Sequence, residues 1–181
     1  MIDSQGWYRL ARKVPSPHCD VRHDSEDISL LVVHNISLPP GQFGGPYIEQ
    51  FFLGELDANQ HSFFKVIAKM RVSAHCVIRR DGEVVQFVPF HLRAWHAGVS
   101  SFAGRAKCND YSIGIELEGS DFVPYTDAQY QALTELTQAL MVRYPHITLP
   151  RITGHQYIAP LRKTDPGLVF DWRRFRAGLK S

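Results

Sequence analysis

The chain lacks an apolar run long enough to cross a lipid bilayer. Its longest uninterrupted apolar stretch lies around residues 30–33, whereas a transmembrane helix needs about 20 apolar residues. The first residues also lack the basic segment, the apolar segment and the small-residue cleavage site that together make a secretory signal. We therefore expect a protein that does not enter a membrane and that stays in the cytoplasm.

Cysteine and clustered charge are also scarce. The three cysteines, Cys19, Cys76 and Cys108, are odd in number and widely spaced, which favours reduced, partly buried thiols over a disulfide framework. Twenty basic and 18 acidic residues leave a formal net charge of +2, and no Lys/Arg block stands out. Because binding to phosphates depends on clustered cations, nucleic acid is not an expected partner.

What the chain does contain is the composition of an ordinary globular domain. Hydrophobic residues make up 44% of the sequence and charged residues 21%, close to the averages for soluble globular proteins. A chain of 181 residues has the size of one domain and buries roughly 70% of the surface that its unfolded form exposes. No repeat or linker divides it. We therefore predict a single domain over residues 1–181 and expect a monomer.

Two apolar patterns predict strands that carry polar side chains. Residues 29–35 (SLLVVHN) form a β-branched run that is followed by a Pro/Gly-rich stretch, which predicts a buried strand and then a loop. This strand ends with His34 and Asn35. Residues 112–117 (SIGIEL) alternate in polarity, which predicts another strand with Glu116 on the opposite face from Ile113 and Ile115.

A β-hairpin is the clearest local pattern. Residues 73–79 and 83–88 are rich in β-branched and aromatic side chains, and Asp81-Gly82 lies between them. His75 lies within the first of these strands, where a hydrogen-bonded structural role is favoured over direct metal binding.

Helical patterns complete the predicted elements. Thr126 and Gln129 predict a capping box at the start of a long helix that ends before Pro145. Shorter amphipathic segments are predicted over residues 47–53 and 171–179. Strands interspersed with helices in one domain predict an α/β or α+β fold with a central mixed sheet flanked by helices.

The histidines provide the candidates for a metal site. The chain has nine, and placement singles out His34 at a strand end, His155 after a short apolar run, and Asp165 in a Lys-Thr-Asp-Pro-Gly turn. Two imidazoles and one carboxylate are a sufficient protein set for catalytic zinc, which keeps one position open for water. Spacing alone leaves rival sets open, with His75, His96 or Asp110 as members.

Several longer motifs share one pattern with a known enzyme family. These motifs are residues 33–41 (VHNISLPPG), 72–75 (VSAH), 80–82 (RDG), 94–98 (AWHAG), 108–110 (CND), 112–119 (SIGIELEG) and 162–167 (RKTDPG). From about Gly6 to its C-terminus the chain resembles the anhydro-muramyl-L-alanine amidases of Gram-negative peptidoglycan recycling. The resemblance implies the amidase and peptidoglycan-recognition-protein fold, which has a central mixed sheet flanked by helices.

The same resemblance implies roles for five residues. His34, His155 and Asp165 would bind one zinc ion, which can lower the pKa of its bound water to about 7. Glu116 would take the water's proton and pass one to the leaving amine, while Lys163 would stabilise the oxyanion. An aspartate third ligand, where many relatives of this fold have cysteine, donates less charge and leaves zinc a stronger Lewis acid.

Further residues are candidates for substrate binding. Trp95 and His96 lie in a predicted loop and are expected to wall a sugar cleft, with ordinary packing as the alternative. Asn35, next to a zinc ligand, is expected to hydrogen-bond the substrate amide, with a turn role as the alternative. The cations expected to grip the carboxylates of the stem peptide are Arg71, Arg105, Lys107 and Arg162. At Lys107 the family pattern has arginine, so a point charge would replace a bidentate fork.

The predicted function is therefore a zinc-dependent amidase of cytoplasmic peptidoglycan recycling. It would cleave the amide between the lactyl group of (1,6-anhydro)-N-acetylmuramic acid and L-alanine of the stem peptide in anhydro-muropeptides. Two alternatives stay open: an exported lytic amidase that acts on intact wall, and a peptidoglycan-recognition module that binds without cutting. Such modules lose zinc ligands or the catalytic pair, whereas every matched position is filled here.

Overall fold

A six-stranded mixed sheet forms the centre of the molecule. The computed structural model describes residues 1–180, and its strands in chain order are β1 (Arg12–Lys13), β2 (Cys19–Val21), β3 (Leu30–Ile36), β4 (Cys76–Ile78), β5 (Val84–Gln86), β6 (Leu92–Ala94), β7 (Ser101–Phe102), β8 (Arg105–Ala106), β9 (Ser112–Glu118) and β10 (Ile152–Gly154). The central sheet has the order β1-β5-β4-β9-β3-β10. Strands β2 and β6 form a small antiparallel pair, as do β7 and β8.

Helices lie around this sheet, as the sequence predicts. They are α1 (Tyr47–Leu53), α2 (Phe64–Ile67), α3 (Asp127–Arg143), α4 (His155–Ile158) and α5 (Trp172–Gly178), with single 3-10 turns at Cys108–Asp110 and Leu149–Arg151. The predicted α/β architecture with a central mixed sheet is confirmed. Helix α5 begins one residue later than predicted, because Asp171 is its N-cap and accepts a hydrogen bond from the Arg174 N–H at 2.9 Å.

Strand directions explain where polar groups can gather. Strands β4, β9, β3 and β10 run parallel, while β5 returns antiparallel to β4. The predicted hairpin is confirmed, but each of its strands has three residues. The turn is wider than predicted, since the Arg79 N–H donates to the Glu83 carbonyl at 2.8 Å and Gly82 takes a φ of +91°.

Because β4, β9, β3 and β10 run parallel, their carboxyl ends meet at one edge of the sheet.

One face of the sheet is apolar and covered by α3. Ile113 and Ile115 of β9 belong to the same buried cluster as Leu133, Leu136 and Leu140 of the helix. The predicted capping box is confirmed, since the Thr126 hydroxyl accepts from the Gln129 N–H and the Gln129 side chain accepts from the Thr126 N–H. Because Ile113 and Ile115 are buried on this face, the alternating side chain of Glu116 points to the opposite face of the sheet.

The opposite face carries the polar side chains. In the parallel pairing of β3 with β9, His34 lies directly opposite Glu116, so both side chains point to the same side of the sheet. Gly154, the last residue of β10, lies opposite Val33, which places His155 beside His34. His34 on β3, Glu116 on β9 and His155 directly after β10 thus lie side by side at the carboxyl edge of the sheet.

A buried carboxylate fixes the loop that borders this face. Glu118 is 1% exposed and accepts hydrogen bonds from the backbone N–H groups of Gly44 at 2.6 Å and Arg80 at 3.1 Å. The Arg79 guanidinium also contacts Glu118, at 3.4 Å. The Pro/Gly-rich segment after β3 is therefore anchored to the sheet, although it forms no regular element before α1.

The described residues bear on the expectations for membrane-spanning helices and for the cysteines. No helix within residues 1–180 is long and apolar enough to cross a membrane. Cys19, Cys76 and Cys108 are all free, with Cys76 and Cys108 buried. The prediction of unpaired, partly buried thiols is confirmed.

Candidate metal centre and active site

Three potential metal ligands converge at the carboxyl edge of the sheet. His34 Nδ1 lies 2.9 Å from His155 Nδ1 and 3.2 Å from Asp165 Oδ2, and the last two atoms are 3.0 Å apart. Zinc ligands at 2.0–2.1 Å in a tetrahedral arrangement lie about 3.3 Å from one another. The three atoms therefore have nearly the spacing that a tetrahedral metal requires, and His34, His155 and Asp165 form a cluster that is compatible with a metal ion.

The hydrogen bonds around His155 show why a cation fits here. Its Nε2 lies 3.2 Å from the carbonyl oxygen of Ala97, which can only accept, so Nε2 carries a proton. With that proton on Nε2, the metal-binding form of the ring presents a lone pair at Nδ1. That lone pair faces the Asp165 carboxylate, and the two repel unless a cation lies between them. A proton is held covalently by one atom, whereas a metal ion can bind all three atoms of the cluster at once.

Electrostatics keep these ligands in the forms that bind metals. Burial lowers the pKa of His34 to about 4, so its ring is neutral at neutral pH. Burial alone would raise the pKa of Asp165, but the adjacent imidazoles of His155 and His34 hold the pKa well below its usual range. A neutral imidazole and an ionised carboxylate are the ligand forms that zinc requires.

The loop that carries Asp165 is held from two sides. Its carbonyl accepts from the Gln156 N–H at 2.9 Å, and the next carbonyl, that of Pro166, accepts from the Tyr125 hydroxyl at 2.7 Å. Gly167 follows with a φ of +82°, and a Cβ there would lie 2.4 Å from the Cα of Asp121. Asp165 is therefore positioned by close packing that only glycine permits.

Glu116 is a buried carboxylic acid beside the cluster. Its side chain is 9% exposed, and its Oε2 has no hydrogen-bond partner among the described residues. Burial raises the pKa of Glu116 well above its usual range, and nearby Asp165 adds to this effect while Lys163 opposes it. A carboxyl group that is both unpartnered and easily protonated suits proton transfer.

Lys163 lies at the rim of the same cleft. It is exposed, and within residues 1–180 its ammonium group forms no hydrogen bond or salt bridge. Its charge nevertheless lowers the pKa of both Glu116 and His34, which shows that it lies within electrostatic reach of them. The backbone N–H of Lys163 donates to the Ala159 carbonyl at 3.0 Å, so the chain is fixed while the side chain stays available.

The cleft has a volume of about 720 Å³, within the usual range for small-molecule sites. One wall is polar and carries Glu116, Lys163 and two members of the cluster, His155 and Asp165. A second wall is apolar and comes from α1, α2 and the residues on either side of α2, with Phe51, Phe52, Phe63, Ile67 and Met70 as its larger side chains. A ligand with both apolar faces and polar groups would match the two walls.

Four of the predicted substrate-binding residues line this cleft: Asn35, Trp95, His96 and Arg162. The Asn35 amide Nδ2 donates to Asp121 Oδ1 at 2.8 Å and to the Tyr125 hydroxyl at 3.1 Å. Both of its protons are used, so the amide oxygen remains free to accept. Arg162 donates through one nitrogen to the carbonyls of Ala97 and Val99, which ties its loop to the rim. Its other nitrogens have no hydrogen-bond partner within residues 1–180.

The remaining three cations do not line the cleft. Arg105 makes a two-pronged ion pair with Asp27 and lies over the Tyr111 ring at 4.0 Å, so its guanidinium is already engaged. Arg71 and Lys107 are exposed outside the lining. A role for these residues in gripping a peptide stays a prediction that their placement does not support.

Sequence reasoning did not identify the partners behind the cluster. Tyr125 and Asp121 orient Asn35 and the Asp165 loop, yet neither lies near these residues in sequence.

His75 was predicted as a structural residue. Its Nδ1 accepts from the Gly114 N–H at 3.0 Å, and its Nε2 contacts the Leu92 carbonyl at 3.1 Å. Both ring nitrogens of His75 are therefore occupied away from the cleft.

Comparison with known proteins agrees with this geometry. The chain is 64% identical to the 1,6-anhydro-N-acetylmuramyl-L-alanine amidase AmpD of Citrobacter freundii over 177 residues, which cover 98% of this chain and 94% of the relative. The corresponding Escherichia coli K12 enzyme is 63% identical, with 97% and 96% covered.

Solved structures show the same likeness. The crystal structure of a selenomethionine AmpD derivative has a TM-score of 0.96 at 64% identity, with 99% of each chain covered. The E. coli amidase AmiD, solved with the substrate anhydro-N-acetylmuramic acid-L-Ala-D-γ-Glu-L-Lys, has a TM-score of 0.61 at 28% identity, with 98% of this chain and 65% of that chain covered.

A family model also spans the site. The model of N-acetylmuramoyl-L-alanine amidases matches residues 24–168, a range that contains His34, Glu116, His155, Lys163 and Asp165. Since the match covers five of the six strands of the central sheet, the cleft and every member of the cluster, the chain belongs to the N-acetylmuramoyl-L-alanine amidase family.

Proposed function

We propose that this chain is a zinc-dependent hydrolase of anhydro-muropeptides. It cleaves the amide between the lactyl group of 1,6-anhydro-N-acetylmuramic acid and the L-alanine of the stem peptide. The observation that carries this proposal is the triangle of His34, His155 and Asp165, with the unpartnered Glu116 in register beside it. The names of the relatives and the substrate bound to AmiD support the choice of bond.

Zinc is the metal that best suits this ligand set. Two imidazole nitrogens and one carboxylate oxygen form the protein part of many catalytic zinc sites, in which a fourth position is open. Magnesium and calcium favour oxygen ligands, so two histidines argue against them. When bound, zinc would polarise the scissile carbonyl and lower the pKa of water in the cleft.

The chain's own residues supply the remaining chemistry. Glu116 takes the proton of the attacking water and passes a proton to the leaving amine, because its carboxyl group is buried and unpartnered at the cleft. Lys163 faces the oxygen that becomes negative as the carbonyl is attacked. Asn35 accepts from the substrate N–H, because both of its own amide protons are engaged.

Compartment and assembly are part of the same proposal. We place the enzyme in the cytoplasm, where its three free cysteines suit a reducing environment. We also infer that it acts as a monomer, because the proposed ligands and catalytic pair all come from one chain. Cell fractionation tests the compartment, and light scattering tests the monomeric state.

The ligand that we propose is a muropeptide. Its sugar would contact the apolar wall of the cleft, and its peptide would contact the polar rim.

Product analysis on three substrates tests the proposed function. The zinc-loaded protein is incubated with an anhydro-muramyl tripeptide, with the ordinary muramyl tripeptide and with intact wall, and the products are identified by mass spectrometry. Release of free tripeptide from the anhydro substrate is expected. Preferred release from intact wall would instead support a lytic amidase, and binding without release would support a recognition module.

Metal content provides a prediction for the ligand set. His155→Ala and Asp165→Ala proteins should purify with little or no zinc, whereas wild-type protein should carry about one ion per chain. His23→Ala is a matched control, since His23 is exposed and is not a member of the cluster. Elemental analysis of the four proteins measures the result. Full zinc content in His155→Ala would show that the metal binds elsewhere.

A further inference from the structure

A second histidine lies directly behind the metal-facing His34. Nδ1 of His96 is 2.9 Å from Nε2 of His34, and the two rings meet edge to face with centroids 4.9 Å apart. The opposite nitrogen of His96, Nε2, lies 3.1 Å from the Ser112 hydroxyl. A continuous hydrogen-bonded chain therefore runs from the proposed metal ligand through His96 to β9.

The direction of this chain follows from the ligand atom. If His34 binds a metal through Nδ1, its proton must be on Nε2, and that N–H can donate only to an acceptor. Nδ1 of His96 is then the acceptor, which puts the His96 proton on Nε2 and directs it to the Ser112 hydroxyl. A neutral His96 has one N–H and one bare nitrogen, so it matches both neighbours at once.

The sheet provides a fitted space for this ring. Gly114 lies on β9 two residues after Ser112, and a Cβ at Gly114 would lie 2.4 Å from Cγ and 2.5 Å from Nδ1 of His96. The backbone of Gly114 is held by His75 through hydrogen bonds in both directions, each 3.0 Å long. His96 N–H also donates to Asn109 Oδ1 at 3.1 Å. Both the ring and its backbone are thus fixed, which is not needed for a side chain that merely walls a cleft.

We propose that His96 is a positioning residue for the metal, which accepts a hydrogen bond from His34 and holds that ligand in its metal-binding tautomer. This inference rests on the proposed function, because it concerns the same metal. Hydrogen-bond partners of this kind orient metal-bound histidines, and their loss typically weakens metal binding about 10–100-fold. The Trp95-His96 motif then contributes to the cleft in two ways, with Trp95 as lining and His96 as support for a ligand.

Three substitutions of His96 separate this role from packing. In His96→Asn the amide oxygen occupies the position of Nδ1, so an acceptor for His34 remains. In His96→Gln the amide reaches toward the position of Nε2. The hydrogen bond to the Ser112 hydroxyl is then kept, and the acceptor for the His34 N–H is lost. In His96→Leu no acceptor remains. Packing alone predicts that glutamine, the larger side chain, replaces histidine better than asparagine.

Zinc affinity measured by competition with a chromophoric chelator tests the proposal. We expect His96→Gln and His96→Leu to bind zinc about 10–100-fold more weakly than wild type, with His96→Asn close to wild type. The visible spectrum of the cobalt-substituted proteins should change in the same two variants. Thermal unfolding of the metal-free proteins identifies a variant that has lost its fold.

The outcomes separate this proposal from the proposed function. Equal affinity in all four proteins, or tighter binding by His96→Gln than by His96→Asn, overturns the positioning role while leaving a zinc site in place. Absence of zinc binding by the wild-type protein itself overturns the proposed zinc-dependent function and this inference with it.

Discussion

Glu116→Gln is expected to keep its zinc content and to lose about 10²–10⁴-fold in kcat, the usual contribution of a positioned proton-transfer group. Glutamine has nearly the shape of glutamate, so the packing of this 9% exposed side chain is preserved. It cannot take a proton from water, however, and it cannot return one to the leaving amine. Steady-state kinetics on an anhydro-muramyl tripeptide measure the loss.

Two comparisons make the Glu116 result interpretable. Glu55→Gln, at an exposed glutamate outside the cleft lining, should retain full activity. Zinc affinity of Glu116→Gln should match that of wild type, because Glu116 is not a member of the cluster. A near-normal kcat in Glu116→Gln would mean that Glu116 is a structural residue and that another group moves the proton.

Lys163→Met is expected to lower kcat by about 10²–10³-fold, or about 3–4 kcal/mol in transition-state stabilisation. Methionine keeps much of the length of the lysine side chain and removes its charge. The ammonium has no other partner within residues 1–180, so its removal disturbs no hydrogen bond in the fold. The loss should therefore report on the charge of Lys163, which stabilises the developing oxyanion and also lowers the pKa of Glu116. Zinc content should be unchanged.

The split between kcat and KM decides how Lys163 acts. Loss of transition-state stabilisation lowers kcat, whereas loss of uniform substrate binding raises KM. Lys65→Met, at an exposed lysine of α2, serves as the matched control and should behave as wild type. A large rise in KM with unchanged kcat in Lys163→Met would make Lys163 an anchor for a peptide carboxylate.

The elements that build this site could be predicted from local sequence patterns. The apolar run before His34 and the alternation around Glu116 predict strands that the structure contains as β3 and β9. The capping box at Thr126 fixes the start of α3. In each case the pattern lies within one element, so the hydrophobic period or the cap chemistry is sufficient.

The arrangement of those elements could not be predicted in the same way. Spacing alone left His75, His96 and Asp110 as rival metal ligands. In the structure both ring nitrogens of His75 are engaged by the backbone, and Asp110 pairs with Arg93 at 2.8 Å. These partners come from distant parts of the chain, and the pairing of His34 with Glu116 depends on the register between two strands. Such information is absent from any single segment.

Resemblance to a family identified the candidate metal ligands but not the residues that position them. It pointed to His34, His155 and Asp165, which the structure brings within hydrogen-bond distance of one another. The carboxylates of the stem peptide also suggested Arg71, Arg105 and Lys107 as peptide-binding cations, and none of the three lines the cleft. Side chains at a rim depend on loop paths and local ion pairs, such as that of Arg105 with Asp27, and these vary more than the sheet does.

Hydrolysis in water enriched in heavy oxygen tests the central claim most directly. The zinc-loaded protein, and the same protein stripped by a chelator, are given an anhydro-muramyl tripeptide, and both products are analysed by mass spectrometry. We predict that the zinc-loaded protein places one heavy oxygen in the lactyl carboxyl group of the sugar product and none in the free tripeptide. The stripped protein should release neither product until zinc is restored. Heavy oxygen in the peptide product, or equal turnover without metal, would contradict the assigned bond or the assigned metal respectively.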